Sequence, residues 1–145
     1  MGFQFSLQTI LQYRENEEKQ QEARLQQVIA ELMSAQDLVE QISAQIQETS
    51  SRRGEILAEA FAAFHLQALD SEIDLRRRRQ SELKLQVQSL EQKKSEQLRE
   101  YQHKRTARNI LDEMQKQQRQ AFDKEQSTQE QKRLDDIFVT RIQRD

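Results

Sequence analysis

The apolar residues in the first third of the chain recur at alternate steps of three and four. This heptad spacing is typical of a helix that packs along a second helix. Polar residues interrupt it only at Arg14, Glu18 and Gln21. We therefore predict a first helical arm over about residues 3–50. We call the line of positions that would face the second helix the seam. The predicted seam consists of Leu7, Leu11, Arg14, Glu18, Gln21, Leu25, Val28, Leu32, Ala35, Val39, Ile42 and Ile46.

The last half of the chain carries a weaker version of the same pattern. Leu83, Val87 and Leu90 keep the heptad spacing. Near Leu98 the apolar spacing slips by about one residue, and beyond Gln115 polar residues dilute it. We predict a second helical arm over about residues 70–141, whose apolar residues follow a single seam less regularly.

The composition changes between the two arms. Ser, Thr and Gly cluster over residues 49–54, and small apolar residues follow. Asp70 and Ser71 then provide a helix start signal. We therefore predict a turn region over about residues 49–70. An acidic first arm beside a mildly basic second arm favours an antiparallel hairpin over parallel self-association of like arms. The expected fold is all-α, a long two-helix antiparallel coiled-coil hairpin forming a single domain over residues 1–145.

Overall composition supports this elongated architecture. The 145 residues include no proline, cysteine or tryptophan and only two glycines, and charged residues make up 33%. Such a chain has few helix breakers and too few apolar residues for a sizeable globular core. Without cysteine it has no disulfide and no thiolate nucleophile. No apolar run approaches the roughly 20 residues that a membrane span needs, so we expect no direct membrane insertion and no leader segment.

Residues with catalytic or ligand-binding chemistry are sparse. His65 and His103 have no acid or thiol at a spacing that would form a triad or a metal site. With glycine only at positions 2 and 54, the sequence has no phosphate-binding loop. We expect no enzymatic activity, no catalytic residue, no metal and no cofactor.

Four consecutive arginines, Arg76 to Arg79, form the densest charge cluster. A nucleic-acid patch is one interpretation, and it predicts binding that falls steeply with salt. However, four consecutive helical residues point in different directions, and no aromatic residues for base stacking lie among them. We expect no nucleic-acid partner.

Bulky apolar residues gather at both ends of the chain and near the predicted turn. The two terminal groups would either clasp each other or dock elsewhere. They consist of Phe3, Phe5, Leu7, Ile10 and Leu11 at one end and Leu134, Ile137, Phe138 and Ile142 at the other. The apolar residues near the turn would likewise either pack locally or form a partner site. The turn group consists of Phe61, Phe64, Leu66 and Leu69.

Both ends of the sequence resemble the flagellar export protein FliJ family. The N-terminal resemblance lies in Phe3, Phe5, Leu7, Leu11, Arg14 and Glu17. At the other end, the run from Glu130 to Ile137 is similar to a Glu-Gln-Lys-x-Leu-Asp-Glu-Ile pattern, with Asp136 in place of the usual Glu. Length, absence of breakers and order of segments agree over essentially the whole chain.

The resemblance implies a non-enzymatic protein similar to the central shaft subunit of rotary ATPases. It would sit in the hexameric flagellar export ATPase, promote its assembly and activity, and contact a membrane export gate protein and export chaperones. It would be cytoplasmic, peripherally associated with the inner membrane at the flagellar base, and monomeric outside the complex. The implied ATPase contacts are Phe3, Phe5, Leu7, Leu11, Arg14, Leu134, Asp135, Ile137 and Arg141. For the gate, the candidate residues are Phe61, Phe64, Leu66 and Leu69.

Two other functions fit the same pattern. One is a generic self-associating coiled-coil scaffold, which predicts a tight parallel dimer rather than a monomer of high axial ratio. The other is the equivalent stalk of a virulence-type secretion system.

Overall fold

Two long helices account for nearly all of the structure. The computed structural model describes residues 2–57 and 62–144, with only the backbone of Ala62 included. Helix α1 spans Gln8–Ile56, and helix α2 spans Ala62–Arg144. The helices pack against each other as an all-α helical hairpin, which confirms the fold prediction.

The predicted seam of α1 is the face that packs on α2. All twelve predicted positions, from Leu7 to Ile46, are buried or half-buried. The most enclosed are Leu11 and Gln21, each with 2% of its surface exposed, followed by Ala35 at 3% and Val28 at 4%. Because burial follows the spacing without a break, α1 uses one face over its whole length.

Both helices extend into the region predicted to turn. Helix α1 continues through the Ser/Thr/Gly cluster to Ile56, and α2 already begins at Ala62. Thr49 is fully buried and donates a hydrogen bond to the Gln45 carbonyl at 2.9 Å, as a helical residue does. Asp70 does not start a helix and instead pairs with Arg53 at 2.7 Å. Packing against the opposite helix therefore outweighs the weak helix propensity of these residues.

The seam of α2 does not slip. Its inward positions keep strict alternation of three and four, whereas Leu98 lies off the seam and is 41% exposed. The predicted slip is wrong because polar and charged residues occupy seam positions that we expected to be apolar. The inward positions are Ile73, Arg76, Gln80, Leu83, Val87, Leu90, Lys94, Gln97, Tyr101, Lys104, Arg108, Leu111 and Gln115.

The chain forms two compact units. The central unit contains Glu22–Glu100, and the terminal unit contains Met1–Gln21 with Tyr101–Asp145. Each unit is a side-by-side pair of helical segments, one from α1 and one from α2. Whether the chain behaves as a single domain stays a prediction.

Antiparallel pairing in the central unit is visible in its cross-helix hydrogen bonds. Gln80 donates to the Ser43 hydroxyl at 2.8 Å, and Arg76 donates to Thr49 Oγ1 at 2.5 Å. Later residues of α2 thus meet earlier residues of α1. The buried apolar side chains of this unit are Leu25, Val28, Leu32, Ala35, Leu69, Ile73 and Leu83.

The four arginines do not share one face. Arg76 lies on the seam and also pairs with Glu72 at 2.7 Å, whereas Arg79 pairs with Glu82 at 3.3 Å. Arg77 and Arg78 are exposed. The cluster is therefore spread around the helix and does not form one basic groove.

Candidate interaction surfaces

The N-terminal aromatic residues pack onto α2 within the terminal unit. The rings of Phe3 and Phe122 lie 5.6 Å apart between centroids at an interplanar angle of 52°. The Arg119 guanidinium lies 5.9 Å from the centre of the Phe3 ring. Phe5 is 7% exposed, and close by Gln115 donates to the Gln8 side-chain oxygen at 3.0 Å. The start of the chain is thereby fixed to α2 before α1 begins.

The candidate ATPase contacts near the N-terminus consequently differ in accessibility. Phe5 and Leu11 are buried, whereas Phe3, Leu7 and Arg14 are half-buried. Arg14 donates to Glu17 at 2.9 Å. A partner would reach Phe5 or Leu11 only if the helices separated, so these two side chains primarily hold the pair together.

A layer of charged residues crosses the terminal unit where the seam of α1 turns polar. Glu18 forms a two-point ion pair with Arg108, through Nε and through Nη2, the latter at 3.3 Å. Arg108 also pairs with Asp112, four residues further along α2. The hydrogen bonds from Arg108 to Glu18 and then to Asp112 raise the pKa of the guanidinium above its ordinary value. We call Glu18, Arg108 and Asp112 the charged layer.

Glu17 extends this region along the edge of the helix pair. Its carboxylate accepts from Arg14 and lies 3.5 Å from the Lys104 ammonium. Partial desolvation by itself raises the pKa of Glu17. Hydrogen bonds from Arg14 and Tyr13, together with the charges of Lys104 and Arg14, outweigh it and leave the pKa below its usual value. The carboxylate is therefore stabilised in its charged form.

The last part of α2 packs against no other described residue of the terminal unit. Phe122 is the last half-buried residue of α2, and every described residue from 123 to 144 is exposed. We call residues 123–144 the tail. At 1.5 Å per residue, it represents roughly 33 Å of helix. The two terminal apolar groups therefore do not clasp each other in the described structure.

Large apolar side chains nevertheless concentrate on the tail. Leu134, Ile137 and Phe138 line one shallow groove together with Asp135 and Arg141. The exposed fractions of Leu134, Ile137 and Phe138 are 62%, 47% and 64%. Spacings of three and four put these apolar residues on one side of the helix, and Ile142 follows one turn later. We define the tail stripe as Leu134, Ile137, Phe138 and Ile142.

Two members of the tail stripe were not among the sequence-based site residues. Phe138 and Ile142 were recognised only as terminal apolar bulk, since the family pattern ends at Ile137. Their i+4 and i+8 spacing from Leu134 is the signal that identifies them.

The candidate gate residues also separate into different settings. Phe61 lies outside the described residues. Leu69 is buried at 8% exposure and Leu66 is half-buried, so both serve the helix pair. Phe64 is 79% exposed, and its ring meets His65 edge-on at 6.3 Å.

Phe64 begins a second line of apolar residues on the outward face of α2, and polar residues interrupt this line. Steps of four and three from Phe64 lead through Ala68 to Leu75 and Leu85, and the two leucines are each 66% exposed. These positions lie on the side of α2 away from Ile73 and Leu83. We define the outer stripe as Phe64, Ala68, Leu75 and Leu85, all within the central unit.

Within residues 2–57 and 62–144, no group of three His, Cys, Asp or Glu side chains is arranged to hold a metal ion. In that same part of the chain, neither helix contains a stretch apolar enough to cross a bilayer.

The described residues form an all-α helical hairpin that exposes apolar helix faces. The family model described as flagellar FliJ protein matches residues 3–145. The chain belongs to the FliJ family and is a component of the flagellar type III protein export apparatus. Neither the search of curated proteins nor the search of solved structures found a match.

Proposed function

We propose that this protein is a non-enzymatic shaft that seats in the hexameric flagellar export ATPase and promotes its assembly and activity. The observation that carries the proposal is the tail, a helix segment with no partner among the described residues. It still exposes five large apolar side chains, four of which form the tail stripe. Such a stripe is costly in water and fits the apolar lining of a partner. Membership of the FliJ family supports the export ATPase as that partner.

The charges beside the tail stripe suit a polar-rimmed contact. Asp135 and Arg141 flank the apolar groove and are exposed. An apolar centre with a mixed-charge rim is typical of protein–protein contacts. Leu134, Asp135, Ile137 and Arg141 are thus the foremost ATPase contacts in the proposal, and Phe138 and Ile142 join them.

The N-terminal residues take a supporting role. Phe5 and Leu11 hold the start of the chain on α2, whereas Phe3, Leu7 and Arg14 remain partly accessible beside them. Direct contact of these five residues with the ATPase stays a prediction. Seating would act on the ring by binding one of its conformations more tightly than the others.

We assign the export-gate contact to the outer stripe. Of the four gate candidates, Phe64 is the one whose described side chain is strongly exposed, and Leu75 continues its line. The contact would place the protein in the cytoplasm, at the inner membrane of the flagellar base. Export chaperones complete the proposed partners, without a surface assigned to them.

Two variants of matched type test the two contacts against each other. The tail variant combines Leu134→Ala, Ile137→Ala and Phe138→Ala, and the outer variant combines Phe64→Ala, Leu75→Ala and Leu85→Ala. All six side chains are exposed and alanine favours helix, so both variants should keep the fold. Circular dichroism checks this directly.

We expect the tail variant to lose stimulation of the purified export ATPase, about tenfold or more, and to retain gate binding. The outer variant should lose gate binding and retain stimulation of the ATPase. If the tail variant stimulates the ATPase as well as the wild type does, the proposed seating is wrong. Loss of both activities in both variants would contradict separate contact surfaces.

Sedimentation distinguishes the scaffold alternative. A monomer is expected at micromolar concentrations, whereas a tight parallel dimer abolished by the tail variant would assign the tail stripe to a second copy. The family match favours the flagellar apparatus over a virulence-type system.

A further inference from the structure

We propose that the charged layer selects the register in which the terminal segments of α1 and α2 pair. The inference does not depend on the ATPase contact. Its basis is the placement of Glu18 and Arg108 on the seam, where they face each other across the helix pair as an enclosed ion pair.

Heptad packing alone does not fix a register in the terminal unit. Seam positions recur every seven residues whether they are apolar or polar, so a shift of one heptad again brings seam position against seam position. Along the predicted seam of α1, Glu18 is the single acidic position. It faces Arg108 across the pair, and both side chains are largely enclosed, with 13% and 24% of their surface exposed.

A shift of one heptad would break this match. Moving α2 by seven residues places Tyr101 or Gln115 opposite Glu18 in place of Arg108. The partly buried carboxylate would then lose its two-point ion pair, and Arg108 would lose its partner on α1. Leaving an enclosed charge unpaired is costly, so the shifted pairings are selected against.

Asp112 makes the layer more selective. It accepts from Arg108 Nη1, while Glu18 accepts from Nε and Nη2 of the same guanidinium. Because all three donor nitrogens of Arg108 are used, the planar group is held in one orientation. Helix α2 thus presents a guanidinium group in a fixed orientation to one position of α1.

The register determines where the tail lies relative to the N-terminal residues. A shift of one heptad moves the tail stripe by about 10 Å along the helix relative to Phe3. The charged layer would therefore set the spacing between the two terminal groups. This role is separate from stability, because apolar replacements could leave the pair equally stable and still lose the register.

Electron–electron distance measurements between two spin labels test this inference. The labels are attached to Gln20→Cys and Gln126→Cys, two exposed positions of the terminal unit, and the chain has no cysteine of its own. The wild-type layer should give one distance peak. Shifted registers would add peaks displaced by about 10 Å.

In the first test variant, Glu18→Leu with Arg108→Leu, the layer becomes apolar. We expect a helical, stable chain with at least two distance peaks. A second variant, Glu18→Gln with Arg108→Gln, removes the charges with little change in volume and should also broaden the distribution. It keeps the inference testable if the leucine variant misfolds.

Reversing the three charges together, with Glu18→Arg, Arg108→Glu and Asp112→Lys, should restore a single peak. The control, Arg79→Leu with Glu82→Leu, removes an exposed pair that lies within α2 alone, and it should leave the single peak unchanged. A single peak at the wild-type distance in both uncharged variants would overturn the inference. Multiple peaks in the charge-reversed variant would also contradict it.

Discussion

Polar side chains on the seam are satisfied individually. Thr49 donates to its own helix and accepts from Arg76, and Gln80 reaches Ser43 on the other helix. Among the described side chains, no buried nitrogen or oxygen atom lacks a hydrogen-bond partner. Each of these residues would otherwise destabilise the pair, since an unpaired buried polar group costs about 1–3 kcal/mol.

Glu17 should make stability depend on pH in the acidic range. A carboxyl whose pKa is lower in the folded state stabilises the fold above its unfolded pKa, and this contribution is lost as pH falls through the folded value. The pKa of Glu17 lies below its ordinary value of 4.5, so the loss should begin near that pH and continue below it.

The measurement is urea denaturation of the wild type and Glu17→Gln from neutral pH downwards. The wild type should be more stable at neutral pH, and the difference in unfolding free energy should shrink in acid. As control, Glu82→Gln removes an exposed carboxylate paired within α2. A difference that stays constant down to the lowest pH would show that Glu17 does not contribute as a charge.

At the scale of the element, each helix is organised by a single inward face. Leu83 and Leu85 are identical residues two positions apart in α2, yet they are 3% and 66% exposed. The difference arises because adjacent helical positions are separated by about 100° around the axis. The two leucines therefore form an internal comparison of seam and surface.

We expect Leu83→Ala to reduce the unfolding free energy by about 2–4 kcal/mol, because it removes buried methyl groups and leaves a cavity. For Leu85→Ala, in the same helix with the same chemical change, the expected effect is within about 0.5 kcal/mol. Denaturation followed by circular dichroism measures both. Equal effects would mean that the assigned seam of α2 is incorrect.

At the scale of the whole molecule, the two ends contribute differently to folding. The N-terminal residues before α1 supply Phe5 to the buried surface, whereas the tail supplies none of the buried residues. Under the proposed function, stability and partner binding therefore belong to opposite termini of the chain.

Deleting residues 123–145 should leave the denaturation midpoint nearly unchanged while reducing the helical signal, because the described tail makes no buried contact. Deleting residues 2–7 should lower the stability by about 2 kcal/mol or more through loss of Phe5 and its neighbours. The comparison uses the same urea titration for both deletions. A large loss of stability on removing the tail would show that it packs on the rest of the molecule.

Much of the fold could be predicted because helical periodicity is a local property. The seam of α1 follows from the positions of Leu25, Val28 and Leu32 and their repeats, since the period of the helix determines which residues share a face. In α2 this reasoning failed at Leu98. An apolar residue there lies off the seam, while Lys94 and Gln97 lie on it, and no periodicity of apolar residues alone reveals that.

The sequence by itself determined two helices, their antiparallel tendency and the family, because spacing, the absence of breakers and the terminal motifs are properties of residues close in the chain. The tertiary structure decided where the helices end, which polar residues face inward and which apolar terminus is already occupied. Those outcomes depend on pairings between residues far apart in sequence, such as Phe3 with Phe122 and Glu18 with Arg108. For that reason the N-terminal aromatic residues serve the helix pair, and the tail stripe stays exposed among the described residues.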